Sequence, residues 1–153
     1  MKSTSVPSHS VKHLLDLNAL IALADPDSVW HDAIHRWYDS GGKDNWGVCP
    51  LTEAGFIRVT TNPKYGGAER TVEQAAAILA EFSKATGYRY WEIRDSWADL
   101  TAPFAGRITG HQQVTDAYLL GMAIKENGVL VTFDTKIAYL AGTEFHRHLL
   151  TLK

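Results

Sequence analysis

Short β-rich runs alternating with longer helical stretches predict an α/β fold: a three-layer α/β/α sandwich around a mostly parallel central sheet. Three observations carry this. The apolar runs 13–15 and 129–133 are each followed by a carboxylate, and helix-period stripes fill the chain between them. No internal repeat or linker divides the sequence.

Each element has a local reason. His13-Leu14-Leu15 is a short apolar strand closed by Asp16, and Leu17 to Leu23 supply one or two helical turns. Asp25-Pro26-Asp27-Ser28 brings breaker and capping chemistry. Trp30, Ile34, Trp37 and Tyr38 then recur on one helical face, and Gly41-Gly42 closes that helix. Trp46 to Cys49 is strand-like and ends at Pro50; Thr52 is read as the cap of a helix carrying Phe56, Ile57 and Val59, stopped by Asn62-Pro63. Thr71 caps a helix with the stripe Val72, Ala75, Ala76, Leu79, Phe82 and Thr86 before Gly87. Tyr88 to Ile93 is β-rich, and Ala105 to Gly110 is a glycine-flanked loop. Gln113 to Lys125 is a strongly apolar helix ended by Asn127-Gly128. Val129 to Thr132 reads as a buried strand, Lys136 to Leu140 as a short helix, and His148 to Leu152 as a last strand.

At 153 residues the chain suits one domain over 12–153, with 1–11 as a flexible polar leader. The 15 Lys+Arg against 17 Asp+Glu exclude a module that binds nucleic acid by bulk positive charge, though not a nuclease with a locally acidic site. One cysteine, Cys49, excludes an internal disulfide framework and a Cys-rich zinc fold. The longest apolar run, 19–24, is too short to span a bilayer, and the leader lacks a signal peptide's apolar stretch. A cytoplasmic protein with no membrane partner is expected.

Four carboxylates stand out of place. Asp16 and Asp134 end strands, Glu53 opens a helix that follows a strand, and Asp116 lies within the most apolar helix of the chain. Parallel strands bring Asp16 and Asp134 to one carboxyl rim, where ligands bind in such sheets, and Glu53 starts on the same rim. Unpaired carboxylates against apolar surface cost on the order of several kcal/mol. Lys136 is the single basic residue locally beside Asp16, Asp116 or Asp134, so a hard divalent cation, Mg²⁺ or Mn²⁺, is the economical partner. A structural account stands alongside. Helix capping explains Asp16 and Asp134 singly, and the helix dipole favours Glu53. Asp116, read as mid-helix, has neither excuse.

These residues resemble a known family. Leu14-Leu15-Asp16-Leu17-Asn18-Ala19-Leu20, Pro50-Leu51-Thr52-Glu53, Val114-Thr115-Asp116-Ala117-Tyr118-Leu119-Leu120 and Val131-Thr132-Phe133-Asp134 resemble, in order and spacing, the four acidic motifs of PIN-domain ribonucleases. The VapC-type toxins of bacterial toxin–antitoxin pairs are the nearest likeness. Arg58-Val59-Thr60-Thr61-Asn62-Pro63 and the stretch 110–117 also look like that family, and the likeness runs from about residue 12 to 152. It implies an α/β/α sandwich, Mg²⁺- or Mn²⁺-dependent endonucleolytic cleavage of RNA, a homodimer, and a cognate antitoxin that blocks the site. Carried across, Asp16, Glu53, Asp116 and Asp134 form the catalytic quartet. Asp16 and Asp116 are the expected metal ligands, assisted by Asp134. Glu53 completes the shell or accepts a proton, and Asn18 and Thr132 orient the acids. Arg58, Arg107 and His111 are candidate RNA contacts, with solvated surface as the equal alternative. Two other functions stay open: a metal-dependent phosphohydrolase acting on DNA or nucleotides, and a non-catalytic RNA- or protein-binding relative.

Other signals carry less. His31 and His35 stand at i, i+4 without a third ligand nearby, which favours a polar helix face over a zinc site. His146 and His148 read as surface residues of the last strand, Cys49 as core, and Tyr88, Tyr90, Trp91 and Trp97 as strand packing before base stacking. The chain has no G-x-G-x-x-G, P-loop or G-x-S-x-G motif.

Overall fold

The computed structural model describes residues 10–65 and 69–153. The expected leader lies mostly outside the described residues, with Ser10 and Val11 its only described part. Strands β1 (His13–Leu15), β2 (Trp46–Gly47), β3 (Val129–Thr132) and β4 (Leu149–Thr151) form one sheet in the order β2-β1-β3-β4. All three pairings are parallel, as the crossover connections require. Leu14 faces Gly47 on one side and Leu130 on the other, and Leu15 faces Val131, so β1 and β3 end side by side.

Helices α1 (Leu17–Ala24), α2 (His31–Asp39), α3 (Pro50–Thr60), α4 (Val72–Phe82), α5 (Trp97–Thr101), α6 (Val114–Lys125) and α7 (Ile137–Ala141) cover both faces. Strand alternation divides the core between them. Leu14 and Leu130 point to the side of α5, α6 and α7, packing on Leu100, Leu119, Leu120 and Leu140. Leu15 and Val131 point the other way, into Leu20, Ile34, Trp46 and Phe56 beneath α1, α2 and α3. This is the three-layer sandwich that the sequence predicts. No helix among the described residues is long and apolar enough to cross a membrane.

Several local readings change. Thr52 lies inside α3 rather than before it; Cys49 is the N-cap, and the Thr52 hydroxyl accepts the Cys49 N–H at 3.0 Å. Thr71 does cap α4, in a reciprocal pair with Gln74. Of the stripe after it, Ala75 is buried while Val72 and Ala76 face solvent. Residues 88–91 run along β2 without forming a full strand, the Arg89 and Trp91 N–H groups donating to Trp46 and Val48. A Cβ on Gly47 would meet the Arg89 carbonyl at 1.7 Å, so that approach demands glycine. The sequence reading has no element for α5, which Ser96 caps and which packs so close to α6 that a Cβ on Gly121 would stand 2.5 Å from the Leu100 carbonyl. His148 is no surface residue. It is buried, its Nδ1 bonded to the Gly128 carbonyl at 2.8 Å, where it ties the turn before β4 to the start of β3.

Candidate active site

The carboxyl ends of β1 and β3 lie side by side, and the residues just past them build the site. Asp16 is 7% exposed and forms the N-cap of α1. Its Oδ1 accepts the Leu17 N–H at 2.7 Å, and its Oδ2 accepts the Thr132 hydroxyl at 2.7 Å. Thr132 is fully buried and works in both directions, its Oγ1 also accepting the Asp134 N–H at 3.0 Å. Asn18 completes the lattice: its Nδ2 donates to Thr132 Oγ1 at 3.2 Å, and its Oδ1 accepts the Phe133 N–H at 3.1 Å. The two expected supporting residues thus bind the β1 end to the β3 end through side chains. Asp134 Oδ1 accepts the Lys136 N–H at 2.9 Å, a turn that fixes its carboxylate direction.

Asp116 occupies the third position of α6, in its first turn. The sequence reading of a mid-helix acid therefore needs correction, because a first-turn carboxylate is favoured by the helix dipole. Its environment still works against its charge. Burial, then the charges of Asp16 and Asp134, push its carboxyl up to about 6, and the ammonium of Lys136 opposes them. Asp16 is raised as well, first by burial and last by Asp134, against the bonds from Thr132 and Leu17. Asp116 and Asp134 line one cleft of about 290 Å³ with His111, Gln113, Lys136 and Leu140. Gln113 shapes its wall, since its Oε1 accepts the Thr109 N–H at 2.6 Å and the Gly110 N–H at 3.3 Å.

Glu53, the fourth predicted acid, is carried by α3. It lies in the first turn of α3, and its charge is felt by the hydroxyls of Tyr88, pushed up to about 12 chiefly by burial, and of Tyr90. It is not among the charges that shift Asp16 or Asp116. Among the described residues no three His, Cys, Asp or Glu side chains gather tightly enough to hold an ion between them. The trio thus shares an electrostatic field without direct convergence. All of its donors are carboxylate oxygens, which fits a hard cation that retains part of its water shell.

The candidate RNA contacts divide. His111 is exposed on the cleft wall. Arg58 is exposed on α3, its guanidinium folded back toward Gly55. Arg107 is committed elsewhere: it donates to the carbonyls of Leu140 at 3.1 Å and Ala141 at 3.3 Å, and pairs with Glu144 at 3.0 Å, holding the end of α7. The sequence presents Lys136 only as a nearby cation; its place two residues after a strand-ending acid is the signal that puts it in the cleft. His31 and His35 reach back to the carbonyls of Ala22 and Leu23 and so cover the C-terminus of α1.

Fold and rim together define an α/β/α domain with an acidic site at the carboxyl edge of a parallel sheet. The PIN-domain family model matches residues 13–142. The chain is 40% identical over 128 residues to "Ribonuclease VapC38" of Mycobacterium tuberculosis, covering 84% of this chain and 89% of that protein. It is 35% identical to "Ribonuclease VapC44" of the same species over 93% of this chain and the whole of that protein. The chain belongs to the PIN-domain family, on its VapC branch. Solved structures agree on the fold. VapC20 of M. tuberculosis, a sarcin–ricin-loop-cleaving toxin, superposes with a TM-score of 0.64 at 12% identity over 87% of this chain and 98% of that one. A VapBC2 complex of Rickettsia felis bound to promoter DNA gives 0.59 at 17% identity over 92% and 98%.

Proposed function

We propose that this chain is a toxin-type endoribonuclease that hydrolyses RNA phosphodiester bonds with Mg²⁺ or Mn²⁺, and that a cognate antitoxin holds it in check. The observation that carries the reading is the lattice Asp16–Thr132–Asn18, which fixes one carboxylate at the rim while Asp116 stands in the field of Asp16 and Asp134, opposed by Lys136. The family relatives named as ribonucleases support the substrate class, and the VapBC2 complex among the fold neighbours supports the antitoxin partner.

Asp16, Asp116 and Asp134 would hold the cation. Bound there, it supplies neutralisation of phosphate charge and acidifies water. The protein's own groups do the rest. Thr132 and the Leu17 N–H keep Asp16 from rotating, and Asn18 keeps the β3 end in register with it. Lys136 and His111 line the same cleft as Asp116 and Asp134 and would meet phosphate oxygens there. Glu53, in the first turn of α3, completes the shell or accepts a proton from the attacking water. Arg58 is kept as an RNA contact from α3, whereas Arg107 serves as a buttress of α7. A homodimer is the expected assembly.

The test is cleavage of total cellular RNA and matched DNA by purified protein with Mg²⁺, Mn²⁺ or EDTA. RNA-selective, EDTA-sensitive cutting that Asp16→Asn abolishes, with an unchanged circular-dichroism spectrum, is the expected result. Undiminished cutting by folded Asp16→Asn refutes the site. Equal cutting of DNA favours the broader phosphohydrolase.

A further inference from the structure

We propose that Trp30 is a substrate-binding residue, on which an unpaired base flanking the scissile phosphate stacks; the inference rests on the endoribonuclease reading above. Trp30 falls just before α2, outside the helical stripe to which its spacing assigns it. Its indole lies flat on the Phe133 ring, with centroids 4.8 Å apart and planes 7° from parallel. Phe133 is almost wholly buried, yet Trp30 keeps 40% of its surface open. One side of the ring system is therefore occupied and much of the remainder faces solvent.

The position ties this surface to the chemistry. Phe133 sits between Thr132 and Asp134, and Asn18 grips its N–H. Alternation along β3 sends Phe133 to the α1 side with Val131, while Asp134 lines the cleft beside α6. Trp30 and the acids are thus on opposite flanks of one rim, separated by the end of a single strand. An RNA strand crossing that rim with a phosphate at the acids brings a neighbouring base over Trp30.

Size and charge decide what the surface accepts. Its apolar neighbour Val29 is 89% exposed, but exposed Asp27 and Asp32 bracket the pair. The docking face of a partner helix needs several hundred Å² of continuous apolar surface, whereas a base needs one flat π-face. The flanking carboxylates repel phosphate and leave the neutral base as the group that fits. Stacking against Phe133 also fixes the indole in advance, so little side-chain freedom is lost when a base arrives.

The experiment uses the full chain with Mg²⁺ or Mn²⁺ and a synthetic oligoribonucleotide spanning a cleavage site mapped on total RNA. Trp30→Leu, which still covers Phe133, is expected to lower kcat/KM about 5- to 150-fold, the range for one base–aromatic stack. Trp30→Phe restores most of that loss. Replacing bases one at a time by abasic ribose should reveal one flanking position where wild type loses a similar factor and Trp30→Leu loses nothing further. Melting curves confirm that both variants are folded. Unchanged cleavage by Trp30→Leu, or additive losses at every abasic position, overturns the proposal. So does a variant that cuts normally but escapes the antitoxin, since Trp30 is then a protein contact. Wild-type protein that cuts no RNA removes the nuclease reading and this proposal together, and that result is recorded before any variant is made.

Discussion

Removing the charge of Asp116 should stabilise the metal-free protein while destroying its response to metal. In the folded chain this carboxyl is pushed up to about 6 by burial and by Asp16 and Asp134, against about 3.9 in an unfolded chain. Between those values the folded state binds more protons than the unfolded state, so stability falls as pH rises from about 4 to about 6 and stays low above. A shift of about two units corresponds to about 3 kcal/mol before screening. The side chain is only part-buried, and solvent screening brings this to about 1–1.5 kcal/mol. Loss of a first-turn charge from α6 subtracts about 0.5 kcal/mol. Asp116→Asn should therefore gain about 0.5–1 kcal/mol at pH 7 in EDTA, a rise in Tm of about 1–4 °C, and lose most of the advantage by pH 4. Adding Mn²⁺ should raise the Tm of wild type by mass action and leave the variant nearly unmoved. Differential scanning fluorimetry across pH 4–8, with EDTA or Mn²⁺, reads all of this. A variant less stable than wild type at pH 7 in EDTA, or one stabilised equally by Mn²⁺, refutes the shared-field account.

Two other substitutions probe the support of the site. Thr132→Val keeps the volume but removes the bonds to Asp16, Asn18 and the Asp134 N–H; denaturant melts should show a loss of about 1–3 kcal/mol, and cleavage should fall with it, while Thr132→Ser keeps most of both. Arg107→Ala strips two carbonyls at the end of α7 and one partly exposed ion pair, so a loss of about 1–2 kcal/mol is expected with no change in the salt slope of RNA binding. A slope reduced by about one unit would return Arg107 to the phosphate backbone.

The elements that were legible from sequence are those with a complete local grammar. β3 has four apolar or β-branched residues and a polar stop, and α4 has a reciprocal cap at its start. The misses lack such grammar. α5 is only five residues long, too short for periodicity to register. His148 reads as a surface residue until the turn before β4 carries it under the Gly128 carbonyl. Trp30 shares helical spacing with Ile34 and Trp37, yet the helix begins after it, so its ring leaves the stripe and lies on Phe133 instead. In the site, Asp16, Asp134, Asn18 and Thr132 were readable because strand ends fix them. Glu53 was readable in the first turn of α3 because Pro50 sets the start of that helix.

Capping and chemistry at this rim are not rival explanations. Asp16 does cap α1, and Asp134 does hold a turn, but a capping oxygen keeps a second lone pair and a carboxylate keeps a second oxygen. The caps account for the rigidity of the acids and leave their charge unaccounted for. Serine or asparagine at these positions would cap about as well, within a contribution of about 1 kcal/mol, and would bury no charge. The raised carboxyl of Asp116 alone records an electrostatic cost comparable to or larger than that contribution. A rim built only for stability would therefore carry hydroxyls or amides. Carboxylates sharing one field, opposed by the exposed Lys136, cost the metal-free fold stability that a bound divalent cation would return.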